Sequence, residues 1–136
     1  MTMRDLFDEY EERQEVPVSD TYFMSLNEYQ NKAYEFTAHN DPLIYPALGL
    51  VSEAGEVADK IKKSIRDQGY ALEEVAELMT QSERHDLALE LGDCLWYIAQ
   101  LADDLQMPLS DIAEMNINKL SDRRKRKAMR GSGDYR

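Results

Sequence analysis

An all-α fold, an antiparallel four-helix bundle carrying a short helical insertion, is what the 136-residue sequence predicts. Three observations lead there. Apolar residues recur three and four positions apart through four long stretches, the spacing of one helix face. Only six glycines and four prolines interrupt the chain, which suits short connections between helices. No stretch with the two-residue alternation of a strand reaches a useful length.

The elements follow in order. Residues 1–24 read as an acidic, loosely docked segment interrupted by Pro17, ahead of a helical domain over 25–130 and a short tail over 131–136. Ser25-Leu-Asn-Glu28 has the form of a capping box. It opens a first helix on Leu26, Tyr29, Ala33 and Phe36. His39-Asn-Asp-Pro42 ends that helix, because the residue before a proline avoids helical angles. The second helix runs from near Pro46 to about Asp67, with Leu50, Ala54, Val57, Ala58, Ile61 and Ile65 as its apolar stripe. Gln68-Gly69 terminates it.

Residues 70–81 form the insertion, and Thr80-Gln-Ser-Glu83 is a second capping box. The third helix then extends to about Gln106, turning Leu87, Leu91, Cys94, Leu95, Ile98, Leu101 and Leu105 inward. Leu89 and Trp96 project from its opposite face, where a tryptophan suits a contact with another subunit. Met107-Pro108 breaks the chain. The fourth helix, on Ile112, Met115 and Leu120, runs into a basic cluster.

Composition bounds the function. No run approaches the roughly 20 apolar residues that span a membrane, and no secretory signal pattern is present. The single Cys94 has no partner for an internal disulfide and reads as a small buried thiol. A cytoplasmic protein is expected. The net charge of −11 is unevenly spread. Residues 1–20 carry seven acids against Arg4 and Arg13, whereas residues 119–136 carry eight bases against Asp122 and Asp134. Such a protein is a poor general nucleic-acid binder, but its basic end suits a small polyanion.

The residues that carry chemistry come in two acidic pairs of matching spacing, Glu53-Ala-Gly-Glu56 and Glu90-Leu-Gly-Asp93. Residues three apart share a helix face, so two adjacent helices gather four carboxylates. Such a group calls for a cation, and hard oxygen donors favour Mg²⁺ or Mn²⁺ over zinc. Gly55 and Gly92 inside the pairs suggest close approach by a ligand or another backbone. A di-iron carboxylate bundle is excluded, since no Glu-x-x-His occurs; His39 and His85 read as surface or capping residues. On the fourth helix Asn116, Lys119, Arg123, Arg126 and Arg130 form one stripe suited to phosphate oxygens. A divalent ion beside that stripe is what a triphosphate needs.

Leu48-Gly-Leu-Val-Ser-Glu53-Ala-Gly-Glu56-Val-Ala-Asp-Lys60, then Glu90-Leu-Gly-Asp93, then Asn116-x-Asn118-Lys119-x-x-x-Arg123, together resemble the MazG-like nucleoside triphosphate pyrophosphohydrolases. The tail Arg130-Gly-Ser-Gly-Asp134-x-Arg136 is similar to the ending of many small relatives, and the resemblance covers about residues 25–136. It implies a bundle of the MazG-like type that cleaves between the α- and β-phosphates of an NTP or dNTP, releasing nucleoside monophosphate and pyrophosphate. By the same resemblance Glu53, Glu56, Glu90 and Asp93 hold the metal, and Glu53, Glu56 and Lys60 are catalytic. Lys60, Asn116, Asn118, Lys119, Arg123 and Arg126 hold the substrate, and the protein is a homodimer or homotetramer with sites at subunit contacts.

Two departures stand out: Ser52 replaces a further glutamate of many relatives, and the 33 residues between Glu56 and Glu90 exceed the family's usual spacing. The base pocket is open; Tyr34, Phe36, Tyr45 and Tyr97 are aromatic candidates. A non-catalytic regulatory or interaction module, or a pyrophosphatase restricted to dUTP or dCTP, are the alternative readings.

Overall fold

The structure is a computed structural model, and it describes residues 23–126. The acidic N-terminal segment up to residue 22, Arg130 of the basic stripe and the 131–136 tail lie outside the described residues. Five helices and no strand are found among the described residues: α1 (Leu26–Tyr34), α2 (Ile44–Gln68), α3 (Val75–Leu78), α4 (Gln81–Asp104) and α5 (Leu109–Lys125). The expected all-α bundle is present, with α3 as the insertion. None of these helices is long and apolar enough to cross a membrane.

Both capping boxes form. Ser25 Oγ accepts from Glu28 N–H while the Glu28 carboxylate accepts from Ser25 N–H, and Thr80 and Glu83 repeat the exchange. Each satisfies two amides that a helix start leaves without partners. Gly69 closes α2 at φ 70, its N–H donating to Ile65 O. The start of α2 is less obvious. Leu43 sits at φ 64 with no side-chain cap, and its N–H donates instead to Asp104 Oδ2 at 2.6 Å. Pro46 falls in the first turn of α2, where its missing N–H costs nothing, and is fully buried.

Helix α4 is the hub. Helix α2 lies antiparallel along one side of it, in the register set by Leu43 with Asp104, Gly49 against Tyr97, and Lys60 with Glu90. Helix α1 lies along a second side. There Trp96 Nε1 donates to Ala33 O at 3.1 Å, and Gln100 Nε2 donates to the same oxygen at 3.4 Å. Helix α5 packs on α1 and α4 but not on α2. The core gathers where α1, α4 and α5 meet: Ala33, Ala99, Ala102 and Leu109, flanked by Tyr29, Trp96, Ile98 and Ile112. Alanines at its centre let the helices approach closely.

Gln30 ties that junction together. Its Nε2 donates to Asp103 Oδ1 at 2.8 Å and Met107 O at 3.0 Å, and its Oε1 accepts from Leu109 N at 2.6 Å. The side chain is buried, so nothing replaces these bonds when it is removed. Gln30→Ala should cost about 2–3 kcal/mol, read as a lower urea midpoint with an unchanged m-value.

Several sequence expectations are corrected. Phe36 lies past the end of α1 and is exposed, because the helix gives way to a turn after Tyr34. Leu91, Leu95 and Leu105 of the expected inner face are exposed. Trp96 is half-buried against α1 instead of projecting outward. The reason is common to these: α4 has neighbours on more than one side, and its inward direction is set by α1 and α2 jointly. Gly55 and Gly92 have open space where a Cβ would stand, with nothing within 4 Å among the described residues.

Candidate functional site

The antiparallel register of α2 and α4 places Glu53 opposite the Glu90–Asp93 turn. The carboxylates of Glu53, Glu90 and Asp93 each offer an oxygen within 4.8 Å of the others. Glu53 and Glu90 are half-buried and Asp93 is exposed, so the group opens to solvent on one side. Glu56 is exposed and stands outside this trio. Its charge still reaches Glu53: burial, then Asp93, Glu90 and Glu56 in that order, raise the Glu53 carboxyl above its usual range. Crowded like charges of this kind are relieved by a cation.

The surroundings fit a hard divalent ion. The donors are carboxylate oxygens with no imidazole among them. The Cys94 thiol next to Asp93 is raised by burial and by Glu53, Asp93 and Glu90, which keeps it protonated and a poor ligand. Lys60 approaches from one side, its Nζ 3.3 Å from Glu90 Oε1. Asp59, by contrast, is engaged by Lys62 and Lys63, which hold its carboxyl down to about 2, and it takes no part in the cluster.

Toward the start of α2 lies an aromatic cavity. His39 stacks on Tyr45 with ring centroids 4.8 Å apart and 26° between planes, and Tyr45 stands 6.5 Å from Tyr97. Trp96 meets Tyr97 edge-on. With Ala38, Asn40 and Asp41 these residues line an open cavity of about 360 Å³. Both nitrogens of His39 are shielded from solvent, and neither has a hydrogen-bond partner among the described residues. The Tyr97 hydroxyl is raised by burial, by Tyr45 and by Glu53, which links the cavity electrostatically to the acids one turn away.

His39, read from sequence as a surface or capping residue, is half-buried and lines this cavity with both ring nitrogens shielded. Its stacking depends on the path of residues 35–43, which carries no periodic signal. Tyr45 and Tyr97 of the aromatic candidates line the cavity, whereas Tyr34 and Phe36 are exposed elsewhere. Trp96 joins them through its contact with Tyr97.

The stripe on α5 occupies a different place. Asn116, Lys119 and Arg126 line a groove of about 740 Å³ with Leu105, Met107, Ile112, Met115 and Asp122. Arg123 is half-buried and Asn118 exposed, both on the same helix but outside that lining. Leu105, the α4 wall of the groove, lies twelve residues beyond Asp93, or ~18 Å along the helix axis. Within one subunit α2 and α5 do not pack together, so no α2 acid shares a helix contact with the stripe.

Comparison with known proteins bears on this arrangement. The family description "MazG nucleotide pyrophosphohydrolase domain" matches residues 46–127, more than half of the chain. Glu53, Glu56, Lys60, Glu90, Asp93, Asn116, Lys119, Arg123 and Arg126 fall within that stretch, whereas His39, Asp41 and Tyr45 precede it and Arg130 follows it. The chain is also 47% identical over 94 residues to the "Gene 37 protein" of Mycobacterium phage L5, a match covering 69% of this chain and 76% of that protein. No solved structure matches.

Proposed function

The chain belongs to the MazG nucleotide pyrophosphohydrolase family, and on that footing we propose that it hydrolyses nucleoside triphosphates to nucleoside monophosphate and pyrophosphate with Mg²⁺. The observation that carries this reading is the meeting of Glu53, Glu90 and Asp93 across two helices. Mn²⁺ suits the same donors. Glu53, Glu90 and Asp93 would hold the ion, with Glu56 within a side-chain rotation of joining them. When bound, it supplies Lewis acidity and charge neutralisation at phosphate oxygens.

The order of groups along α2 matches the length of a nucleotide. Gly49, at the aromatic cavity, is ~6 Å of helix from Glu53, and Glu53 is ~10 Å from Lys60. A base seated between Tyr45 and Tyr97 puts its phosphates over the acids and its terminal phosphate toward Lys60 and Lys63. Lys60 then exchanges Glu90 for phosphate oxygen and offsets charge on the departing pyrophosphate. Glu53, which faces Glu90 and Asp93 from α2, is the candidate to accept a proton from the attacking water. Asn116, Asn118, Lys119, Arg123 and Arg126 supply further polyphosphate contacts.

Those α5 residues would come from a second copy of the chain. The face of α2 turned away from α4 carries exposed Ile44, Leu48 and Val51, followed by Gly55 and Ala58. At 100° per residue these share one side. An apolar strip of that length on an otherwise small core is what a homodimer covers. Light scattering at micromolar concentration should give at least twice 15.7 kDa, and Leu48→Asp combined with Val51→Asp should return it to the monomer mass.

A base-restricted activity is the second reading, favoured by the shielded His39 nitrogens and by Asn40 and Asp41 at the lining of the same cavity. One assay tests both. Each ribonucleoside and deoxyribonucleoside triphosphate is incubated with protein and Mg²⁺ or Mn²⁺, and the products are resolved. Monophosphate and pyrophosphate in equal amounts support the reaction, and one strongly preferred base supports restriction. Release of orthophosphate, or no turnover with any nucleotide, would falsify it.

A further inference from the structure

Two features are not used by the proposed site, the acidic run that begins the chain and the apolar floor of the α5 groove, although Lys119 and Arg126 on the groove's edge are among its proposed phosphate contacts. We propose that residues 1–20 of the same chain occupy that groove, with their apolar side chains on its floor and their acids beside its bases. The floor is built by Leu105, Met107, Ile112 and Met115, and Leu105 and Met115 are 53% and 59% exposed. Lys119 and Arg126 stand along its edge, with Asp122 the one acid of the lining among the described residues.

The start of the chain is complementary to this surface. Met3, Leu6, Phe7 and Tyr10 recur three and four apart, and the residues between them are mainly acidic. Seven acids against two arginines in residues 1–20 meet a helix end whose last turn is Arg123, Arg124 and Lys125. Opposite charge on partly buried surface favours the encounter and fixes its register.

The point of entry is also right. The described residues begin at Phe23, immediately before α1. The first turn of α1 is tied to the first turn of α5: Asn27 Nδ2 donates to Ser110 Oγ at 2.9 Å, and Ser110 N–H donates to Asn27 Oδ1 at 3.0 Å. The chain therefore joins the fold at the mouth of the groove. From Ile112 to Arg126 the groove wall is ~21 Å long, which 20 residues span whether helical or extended. A segment tethered at the mouth has an effective concentration that no free peptide or second molecule matches at micromolar protein.

The test is disulfide trapping in the full chain. Cys94→Ser removes the native thiol, and Phe7→Cys is combined either with Met115→Cys in the groove or with Leu72→Cys on the insertion, which is 74% exposed. Mild oxidation is followed by non-reducing gel and intact mass. An intrachain disulfide should form at least about ten-fold faster for the groove pair than for the insertion pair. In 1 M salt, where screening falls to about 3 Å, that advantage should shrink. Leu6→Cys with Met115→Cys repeats the measurement with Phe7 intact. Equal rates for the two placements in both series would overturn the proposal. So would a groove-pair disulfide that links two chains, which would give the groove to a second copy. The crosslink reads position alone and is independent of turnover.

Discussion

Asp93→Asn and Glu53→Gln will each lower Mg²⁺-dependent pyrophosphate release by at least about a thousand-fold, while the helical circular-dichroism signal is unchanged. Each removes one charge from a trio of carboxylates whose oxygens lie within 4.8 Å of one another, and neither is needed by the Ala33–Ala99–Ala102–Leu109 core. Stability gives a second readout that does not depend on catalysis. For the native chain, Mg²⁺ at a hundred times its dissociation constant should add about 2.7 kcal/mol, and both variants should lose most of that gain.

Without metal the sign reverses. Burial and neighbouring acids raise Glu53 in the folded state, so the folded chain holds that proton more tightly than the unfolded chain does. Stability therefore falls as pH rises through the Glu53 titration. Metal-free Glu53→Gln should accordingly melt above the native protein at neutral pH, and the difference should vanish on acidification below the ordinary glutamate range. A variant that loses turnover yet keeps a native response to Mg²⁺ would remove Glu53 and Asp93 from the ion site.

Gly49→Ala will have the next largest effect, this time on the fold around the cavity. A Cβ at Gly49 would overlap the ring of Tyr97, a stiff side chain wedged between Tyr45 and Trp96. Either the ring leaves its place or α2 moves away from α4. Overpacking of this sort costs about 1–3 kcal/mol. The thermal midpoint should drop, and KM for the nucleotide should rise more than kcat falls. Gly92→Ala is the control for the thermal midpoint: no described residue stands within 4 Å of where its Cβ would be, and alanine is the better helix former. If Gly49→Ala melts at the native temperature, the Tyr97 contact is not holding α2 against α4.

The contrast between these glycines shows what was legible in the sequence. Local signals carried over directly: the Ser25 and Thr80 capping boxes and the Gly69 terminus depend on residues within one turn and stand where expected. Three of the four paired acids, Glu53, Glu90 and Asp93, meet as the three-residue spacing suggested, whereas Glu56 stays outside the trio. What failed was direction. Periodicity shows that α4 has apolar sides, but not that Trp96 serves α1 while Leu91 and Leu95 stay open. It shows a basic stripe on α5, but not that α5 and α2 stand apart within one subunit. His39 was invisible because its surroundings are made by a turn, where no repeat informs the reader.

The turn holding His39 is fastened at both ends to one helix: the Thr37 hydroxyl donates to Gln100 Oε1, and the Leu43 amide donates to Asp104 Oδ2. Between these two anchors, Ala38, Asn40 and Asp41 border the cavity without bearing on the acids. Were a base to sit there, ligand preference would be a modular trait of this scaffold. On the proposed function, exchanging Ala38, Asn40 and Asp41 would retune what is accepted and leave Glu53, Glu90 and Asp93 in place.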